Sequence, residues 1–176
     1  AVGYAAMQGA GTGLTDAAQY NTAVGNRAMS SLTGGYNNVA MGRDALYTIT
    51  TGYQNVGIGN AALYNLTDAG NNVAIGYKAG FDITTGTENV LVGPEAGENI
   101  IGGGYNIAIG SDAYKTATTG NYNIAIGKNA MQAGLVTSNL NVGIGYDALK
   151  NLTSGDSAVA IGAYALDAMT TANNNT

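Results

Sequence analysis

The sequence lacks the residues on which most enzyme and metal sites depend. It contains no cysteine, histidine or tryptophan, and only one proline and one phenylalanine. Without cysteine the chain can form neither disulfide bonds nor thiolate zinc sites. Without histidine it lacks the side chain most often used as a general base near neutral pH. We therefore predict that the protein is not an enzyme and holds no cofactor or metal ion.

Charge is also scarce. Charged residues make up 10% of the chain, and the net charge is −5. Nucleic acids and anionic membrane surfaces require clustered Lys and Arg, whereas the six basic residues here are scattered. No apolar run approaches the roughly 20 residues that span a bilayer. The composition therefore excludes nucleic-acid binding and membrane insertion, while the 45% of apolar residues indicates an ordered chain.

Glycine is abundant, with 28 residues, and it marks an internal repeat. The motif N-x-V-A-I-G-x-x-A-L recurs ten times, and we call its last glycine the anchor glycine. The residue numbers of successive anchors differ by 17, except for one difference of 22 and one of 18. The ten anchors are Gly3, Gly25, Gly42, Gly59, Gly76, Gly93, Gly110, Gly127, Gly145 and Gly162. Such a period makes residues 1–176 a single repeat domain.

Residues at a fixed distance from the anchor form columns, which we number by that distance. Column +3 is always Ala, and column −1 is always Val, Ile or Met. Column −3 is Val or Ile from Val39 to Val159, and column −2 between them is Ala or Gly except at Leu91. This alternation predicts a short strand, with Val and Ile on its buried face and the small residue on the opposite face. The anchor glycine permits a sharp corner.

Column −4 is asparagine in eight repeats and alanine at Ala158. Its asparagines are Asn21, Asn38, Asn55, Asn72, Asn89, Asn106, Asn123 and Asn141. At a turn, each side chain can bond to the local backbone. In a stack, identical Asn side chains can instead bond from one repeat to the next.

The second half of each repeat has apolar residues at columns +3, +4 and +7, as in Ala148, Leu149 and Leu152. This is helical spacing, and a T-T-G signal follows it as a second corner. A repeat this short cannot bury a core alone, but stacked repeats can. The predicted fold is all-β: a parallel β-solenoid or β-roll of ten coils, each a short strand plus a turn or single helical turn. Ten coils would make a rod of about 48 Å.

The two ends of the sequence are in phase with the repeat. Joining Thr176 to Ala1 would place Gly3 one regular repeat length after Gly162. One hypothesis is that the ten coils are one link of a longer continuous solenoid. The alternative is a fragment cut within a longer repeat region.

The core N-x-V-A-I-G-x-x-A resembles the head repeats of YadA-type trimeric autotransporter adhesins. Residues 72–76 and 123–127 match it best. The longer unit, with A-L and T-T-G, is similar to repeats of phage tail fibres. This resemblance implies a left-handed parallel β-roll, usually trimeric, on a cell or virion surface. The chain departs from it in its longer unit and in having Ala where that motif has Ser.

Tyrosines are the main candidates for contact with a partner, because a tyrosine ring is apolar with a polar tip. The candidates are Tyr4, Tyr36, Tyr53, Tyr77 and Tyr146. The alternative is that these rings pack between fibre chains or fill gaps between coils.

Two further columns have functional readings. Acidic residues at column +2 lack the dense G-G-x-G-x-D pattern of calcium solenoids, so a solvated face is the better interpretation. Threonine pairs at the T-T-G corner, such as Thr50–Thr51 and Thr84–Thr85, make ice binding a remote possibility.

The expected function is that of a structural component of an extracellular or virion-surface fibre. Such a fibre would be built by end-to-end continuation of coils, by trimer formation, or by both. The alternative is an adhesin segment that binds a host glycan or protein, with the insertion at Gly9–Gly13 as a candidate binding loop. A third, remote alternative is an ice-binding solenoid.

Overall fold

The structure, a computed structural model, describes residues 1–9, 18–133 and 137–171. Apart from Gly9, the insertion at Gly9–Gly13 lies outside these residues. The described chain contains nine short strands. They are β1 (Thr22–Val24), β2 (Val39–Met41), β3 (Val56–Ile58), β4 (Val73–Ile75), β5 (Val90–Val92), β6 (Ile107–Ile109), β7 (Ile124–Ile126), β8 (Val142–Ile144) and β9 (Val159–Ile161).

All nine strands form one parallel sheet, in which each strand pairs with the next strand along the chain. The register keeps the columns aligned, so that Val56 pairs with Val73 and Ile58 pairs with Ile75. An isolated bridge joins Val2 to Val24, at the strand position of the first anchor. The predicted parallel β-solenoid is therefore confirmed, with one short strand in each repeat from β1 to β9.

The prediction for the strand faces is wrong. In every strand the central residue is buried, and the residues on either side of it are half-buried or exposed. Ala74 is thus inside the coil, while Ile75 is 38% exposed. The central residue packs against the apolar side chains of column +4, since a methyl group on Gly57 would lie 3.2 Å from Leu46 and one on Gly143 would lie 2.9 Å from Met131. The space at the strand therefore suits a small residue. The β-branched residues face outward.

Turns, rather than a helix, form the other half of each coil, and the described residues contain no helix. In the coil of Gly25, hydrogen bonds join Ala28 N to Gly25 O and Ser30 N to Arg27 O. The third residue of each turn has a positive φ, 54° at Arg27 and 49° at Met29, as in type II turns. Met29 N donates to Ala45 O of the next coil. These turns direct backbone N–H and C=O groups along the rod toward neighbouring coils. A helical turn would instead use such groups for hydrogen bonds within one coil.

The anchor glycines stack directly on one another. All ten have φ between 125° and 142°, a region that favours glycine. A methyl group on Gly76 would collide with the carbonyl group of Gly93, and the same holds from Gly3 through to Gly145. The anchor column therefore requires glycine both for its backbone conformation and for the close approach of successive coils.

The core adjusts its packing where the repeat deviates. Column +4 is apolar in most coils, but it is glycine at Gly80 and Gly97. Between these two glycines lies Leu91, the one large residue at the centre of a strand. A methyl group on either glycine would come within 2.8 Å of a Leu91 methyl carbon. Leu91 therefore fills the space that the missing column +4 side chains would occupy.

Candidate functional site: an asparagine ladder inside and two unlike sides outside

The asparagine column forms a ladder through the interior of the solenoid. Oδ1 of Asn38 accepts hydrogen bonds from the backbone N of Asn55 at 3.0 Å and from its Nδ2 at 3.1 Å. Nδ2 of Asn38 donates to Gly52 O at 2.8 Å and to Asn21 Oδ1 at 3.0 Å. Each asparagine thus ties the strand of one coil to the strand and the T-T-G corner of neighbouring coils.

The same arrangement repeats along the column, and all members from Asn38 to Asn141 are fully buried. At its last position, the backbone N of Ala158 donates to Asn141 Oδ1 at 2.9 Å. Among the described residues, every buried side-chain nitrogen and oxygen has a hydrogen-bond partner. A buried amide is costly unless it is satisfied, so the ladder can exist only where successive coils stay in register.

One residue that bonds to the asparagine ladder departs from the repeat pattern. Tyr114 occupies column +4, where most coils have Leu or Met, and it is 1% exposed. Its hydroxyl group accepts a hydrogen bond from Asn123 Nδ2 at 2.6 Å. Burial raises the pKa of the Tyr114 hydroxyl far above its usual value, which outweighs the opposite effect of the Asn123 bond. The tyrosine therefore stays neutral and acts as part of the core.

Outside, charged residues concentrate on the side formed by the turns. Of the 16 charged residues that the structure describes, 13 lie in columns +2, +5, +6, +9 or −6. Arg27 donates to Asp44 through Nε at 2.7 Å and Nη2 at 2.9 Å. Lys115 pairs with Glu95, with Asp112 and with Glu98. The pairs Arg27–Asp44, Lys115–Glu95 and Lys115–Glu98 join neighbouring coils, while Lys115–Asp112 lies within one coil. Glu88 lies outside this cluster and bonds to Tyr105.

Aromatic rings stack along this charged side. The rings of Tyr47 and Tyr64 are 5.0 Å apart between centroids, and those of Tyr64 and Phe81 are 5.1 Å apart. Arg27 lies over Tyr47, and Lys78 lies over Phe81. Both faces of the stack are thus covered, so these rings stabilise the coils rather than offer a flat surface to a ligand.

The side of the rod formed by the strands carries most of the exposed apolar residues. We define the apolar face as columns −5, −3, −1 and +1, which are the outward residues of the strand and its two flanks. It holds 14 of the 18 exposed large hydrophobic residues of the described chain. Columns −3 and −1 carry no charge, whereas ten of the 19 residues in columns −5 and +1 are Asn, Gln, Ser or charged. The face therefore has a continuous apolar centre between two mixed flanks.

The five tyrosines predicted to contact a partner divide between two environments. Tyr4, Tyr77 and Tyr146 lie in column +1 of the apolar face and are 78%, 48% and 42% exposed. Tyr36 and Tyr53 stack on each other with centroids 5.5 Å apart, and the Tyr53 ring also covers Gly70. The geometry of this second pair fits the alternative prediction, in which rings fill gaps between coils.

A second group of exposed residues was missed. Tyr105, Tyr122 and Leu140 occupy column −5 in three successive coils and are 44%, 53% and 56% exposed. Their φ values are 59°, 58° and 60°, in the left-handed region that bulky residues rarely adopt. Several other coils have Asn or Ser at this column, and asparagine suits it better. The sequence does not reveal this positive φ. It therefore gives no sign that large residues at column −5 adopt an unfavourable backbone conformation.

The threonine column has a clear role within the stack. The hydroxyl groups of Thr50 and Thr153 donate to the backbone carbonyl groups of Thr67 and Thr170 in the next coil. These hydroxyl groups are therefore engaged by the protein itself. Ice binding stays a prediction, for which thermal hysteresis of the purified protein is the test.

The described residues form no pocket, and they contain no cluster of three or more acidic residues arranged to hold a metal ion. Residues 1–9, 18–133 and 137–171 also include no helix long and apolar enough to cross a membrane. Comparison with protein-family models, with curated proteins and with solved structures finds no match to this chain.

Proposed function

We propose that the protein is a structural segment of a fibre on a cell or virion surface. The observation that supports this is the uniform connection between coils. Backbone pairing and the asparagine ladder repeat in the same register from β1 to β9. Each added coil therefore lengthens the rod by one strand spacing, about 4.8 Å, without a new kind of contact. Length and stiffness are the properties that such a design provides.

End-to-end continuation of coils is part of this proposal. A coil presents the same columns of glycine, asparagine and strand residues to the coil on either side of it. Any further coil with these columns would therefore stack by the same bonds.

The test is to lengthen the rod by a known amount. Duplicating residues 43–76 adds two complete coils, and the maximum dimension measured by small-angle X-ray scattering should rise by about 10 Å. A control insertion would contain the same residues in scrambled order and should not produce this increase. An unchanged dimension for the duplicated variant would contradict the proposal. Electron micrographs of the purified protein should show filaments if coils also continue from copy to copy.

An adhesin segment is the second candidate, and the exposed residues Tyr105, Tyr122 and Leu140 favour it. Large side chains held in a costly backbone conformation can reflect selection for binding. The rings of Tyr105 and Tyr122 stack on each other with centroids 4.8 Å apart. Their faces are therefore poorly placed for stacking on a sugar. A host protein is therefore a better candidate ligand for these residues than a host glycan.

Replacing these three residues with asparagine would test the adhesin function. Asparagine tolerates the positive φ, which offsets the loss of the Tyr105–Tyr122 stacking, so the triple variant should keep the fold. Loss of binding to host cells or to arrayed glycans, with the fold retained, would support an adhesin. Equal binding by the two proteins would remove this site as its basis.

A further inference from the structure

The apolar face offers an interaction surface that the fibre proposal does not use. Its two central rows, columns −3 and −1, consist almost entirely of Val and Ile, and their most exposed members include Val24, Met41, Ile75, Val90 and Ile109. Parallel sheets usually have both faces covered, whereas in this single chain the outer face of the parallel sheet is partly exposed. Here no charged residue interrupts either row in the described coils.

The area of this face, flanks included, approaches that of a standard protein interface. Nine strands at a spacing of about 4.8 Å give a length of roughly 38 Å, and the six residue steps from column −5 to column +1 give a width of at most about 20 Å. The product is at most roughly 760 Å², against about 800 Å² per partner in a standard interface. The two central rows would supply the apolar centre of such an interface, and the mixed flanks would supply its polar rim.

The periodic form of the face favours one kind of partner. The rows repeat at the strand spacing, so an extended contact along the rod requires a partner whose side chains repeat at that same spacing. A second copy of this chain meets that requirement in every coil. Because 13 of the 16 described charged residues lie away from the face, two copies joined through it would also keep most of their negative charge apart.

We propose that the apolar face is a lateral interface at which a second copy of this chain packs alongside the first. The proposal requires the rod geometry on which the proposed function also depends. It adds a partner and a surface, with Ile75 and Ile109 near the centre. The tyrosines Tyr77 and Tyr146 would lie beside this centre and add aromatic side chains, which are enriched in protein interfaces.

The test compares isoleucines of similar exposure on opposite sides of the rod. Ile75 and Ile109 are each 38% exposed on the apolar face, while Ile101 is 47% exposed at column +8. Sedimentation velocity of the full chain should show an assembly of two or more copies. Ile75→Asp with Ile109→Asp should weaken that assembly at least 100-fold, while Ile101→Asp leaves it unchanged. Circular dichroism should show the same β spectrum for the wild type and both variants, because the substituted side chains already face solvent.

Cross-linking gives a second readout that does not depend on a charge substitution. Since the chain has no cysteine, Ile109→Cys and Ile101→Cys each introduce a single thiol. A short bismaleimide should join copies through position 109 much more efficiently than through position 101. Equal cross-linking, a monomeric wild type, or equal loss of assembly in the Ile101→Asp control would overturn the proposal. A monomer that still lengthens when coils are duplicated would overturn the lateral interface alone and leave the fibre function standing.

Discussion

Removing one rung of the asparagine ladder should destabilise the solenoid strongly, and Asn89 is the clearest position at which to do so. Oδ1 of Asn89 accepts bonds from the backbone N of Asn106 at 3.1 Å and from its Nδ2 at 3.0 Å. Nδ2 of Asn89 donates to Gly103 O at 2.9 Å and to Asn72 Oδ1 at 3.1 Å. Asn89→Ala removes all four bonds but does not leave all four partners unsatisfied.

Two partners keep another bond after this substitution. Asn72 Oδ1 still accepts from the backbone N of residue 89 at 3.1 Å, and Asn106 Nδ2 still donates to Gly120 O at 2.8 Å. The backbone N–H of Asn106 and the carbonyl group of Gly103 each lose a buried partner. At about 1–3 kcal/mol for each unsatisfied group, the free energy of unfolding should fall by roughly 2–6 kcal/mol.

The assay is reversible urea unfolding followed by circular dichroism, with Asn26→Ala as the matched control. Asn26 is exposed, so its removal should change the free energy of unfolding by less than about 0.5 kcal/mol. If Asn89→Ala and Asn26→Ala differed by less than about 1 kcal/mol, the ladder would not hold the coils together in the way its geometry indicates.

Three further substitutions or conditions test other parts of the fold. Gly76→Ala should destabilise the protein by roughly 3 kcal/mol or more, because the new methyl group would meet the Gly93 carbonyl group and Gly76 has a positive φ. Thermal melts measure this effect. In the same assay, the control Gly102→Ala should be nearly neutral, because its methyl group would meet only a threonine hydroxyl group at 3.3 Å. Leu91→Ala should cost about 2–5 kcal/mol, and Gly97→Leu should cost about 1–3 kcal/mol by overpacking. In a double-mutant cycle, the cost of the double variant should be less than the sum of the two single costs. Strict additivity would contradict the claim that Leu91 fills the space of the missing column +4 side chains. Burial raises the pKa of Asp112, but its hydrogen bonds with Lys115 and Ser111 outweigh this and hold the pKa below the usual Asp value. The stabilisation by this carboxylate is therefore complete above the ordinary Asp pKa, near 3.9, and is lost as the pH falls through the lower pKa of the folded state. The urea midpoint should thus decline below about pH 4, and Lys115→Gln should make that decline smaller; an equal decline in both proteins would show that the pair does not cause it.

The sequence was sufficient to predict the solenoid because its strongest signal is periodic. The invariant spacing of Gly, Ala and Asn columns predicts in-register parallel stacking directly, and the pairing of β1 to β9 follows that spacing. The compensation at Leu91 was not predictable, because it depends on how one side chain lies between Gly80 and Gly97 in adjacent coils.

The direction of the strand faces was predicted wrongly for a physical reason. Burial of the larger residue is the usual expectation, but a coil this short has too little interior for Val and Ile at the strand as well as Leu at column +4. The outward rows of Val and Ile that result are the surface on which the lateral interface is proposed. The turns were also not predictable, because columns +3, +4 and +7 match helical spacing. In the structure, residues such as Asp147 and Leu149 have φ values of 56° and 51°, which a helix does not allow.

Linear stacking of the coils is the central feature of this fold, and pulsed electron–electron double resonance can measure it directly. The chain has no cysteine, so pairs of spin labels can be placed in one exposed column by substituting Asn26 together with Pro94, Lys128 or Ala163. These pairs are four, six and eight coils apart, and a straight stack should give mean distances of about 19, 29 and 38 Å, rising by about 4.8 Å per coil. Distances that level off or reverse beyond four coils would contradict a straight stack of in-register coils.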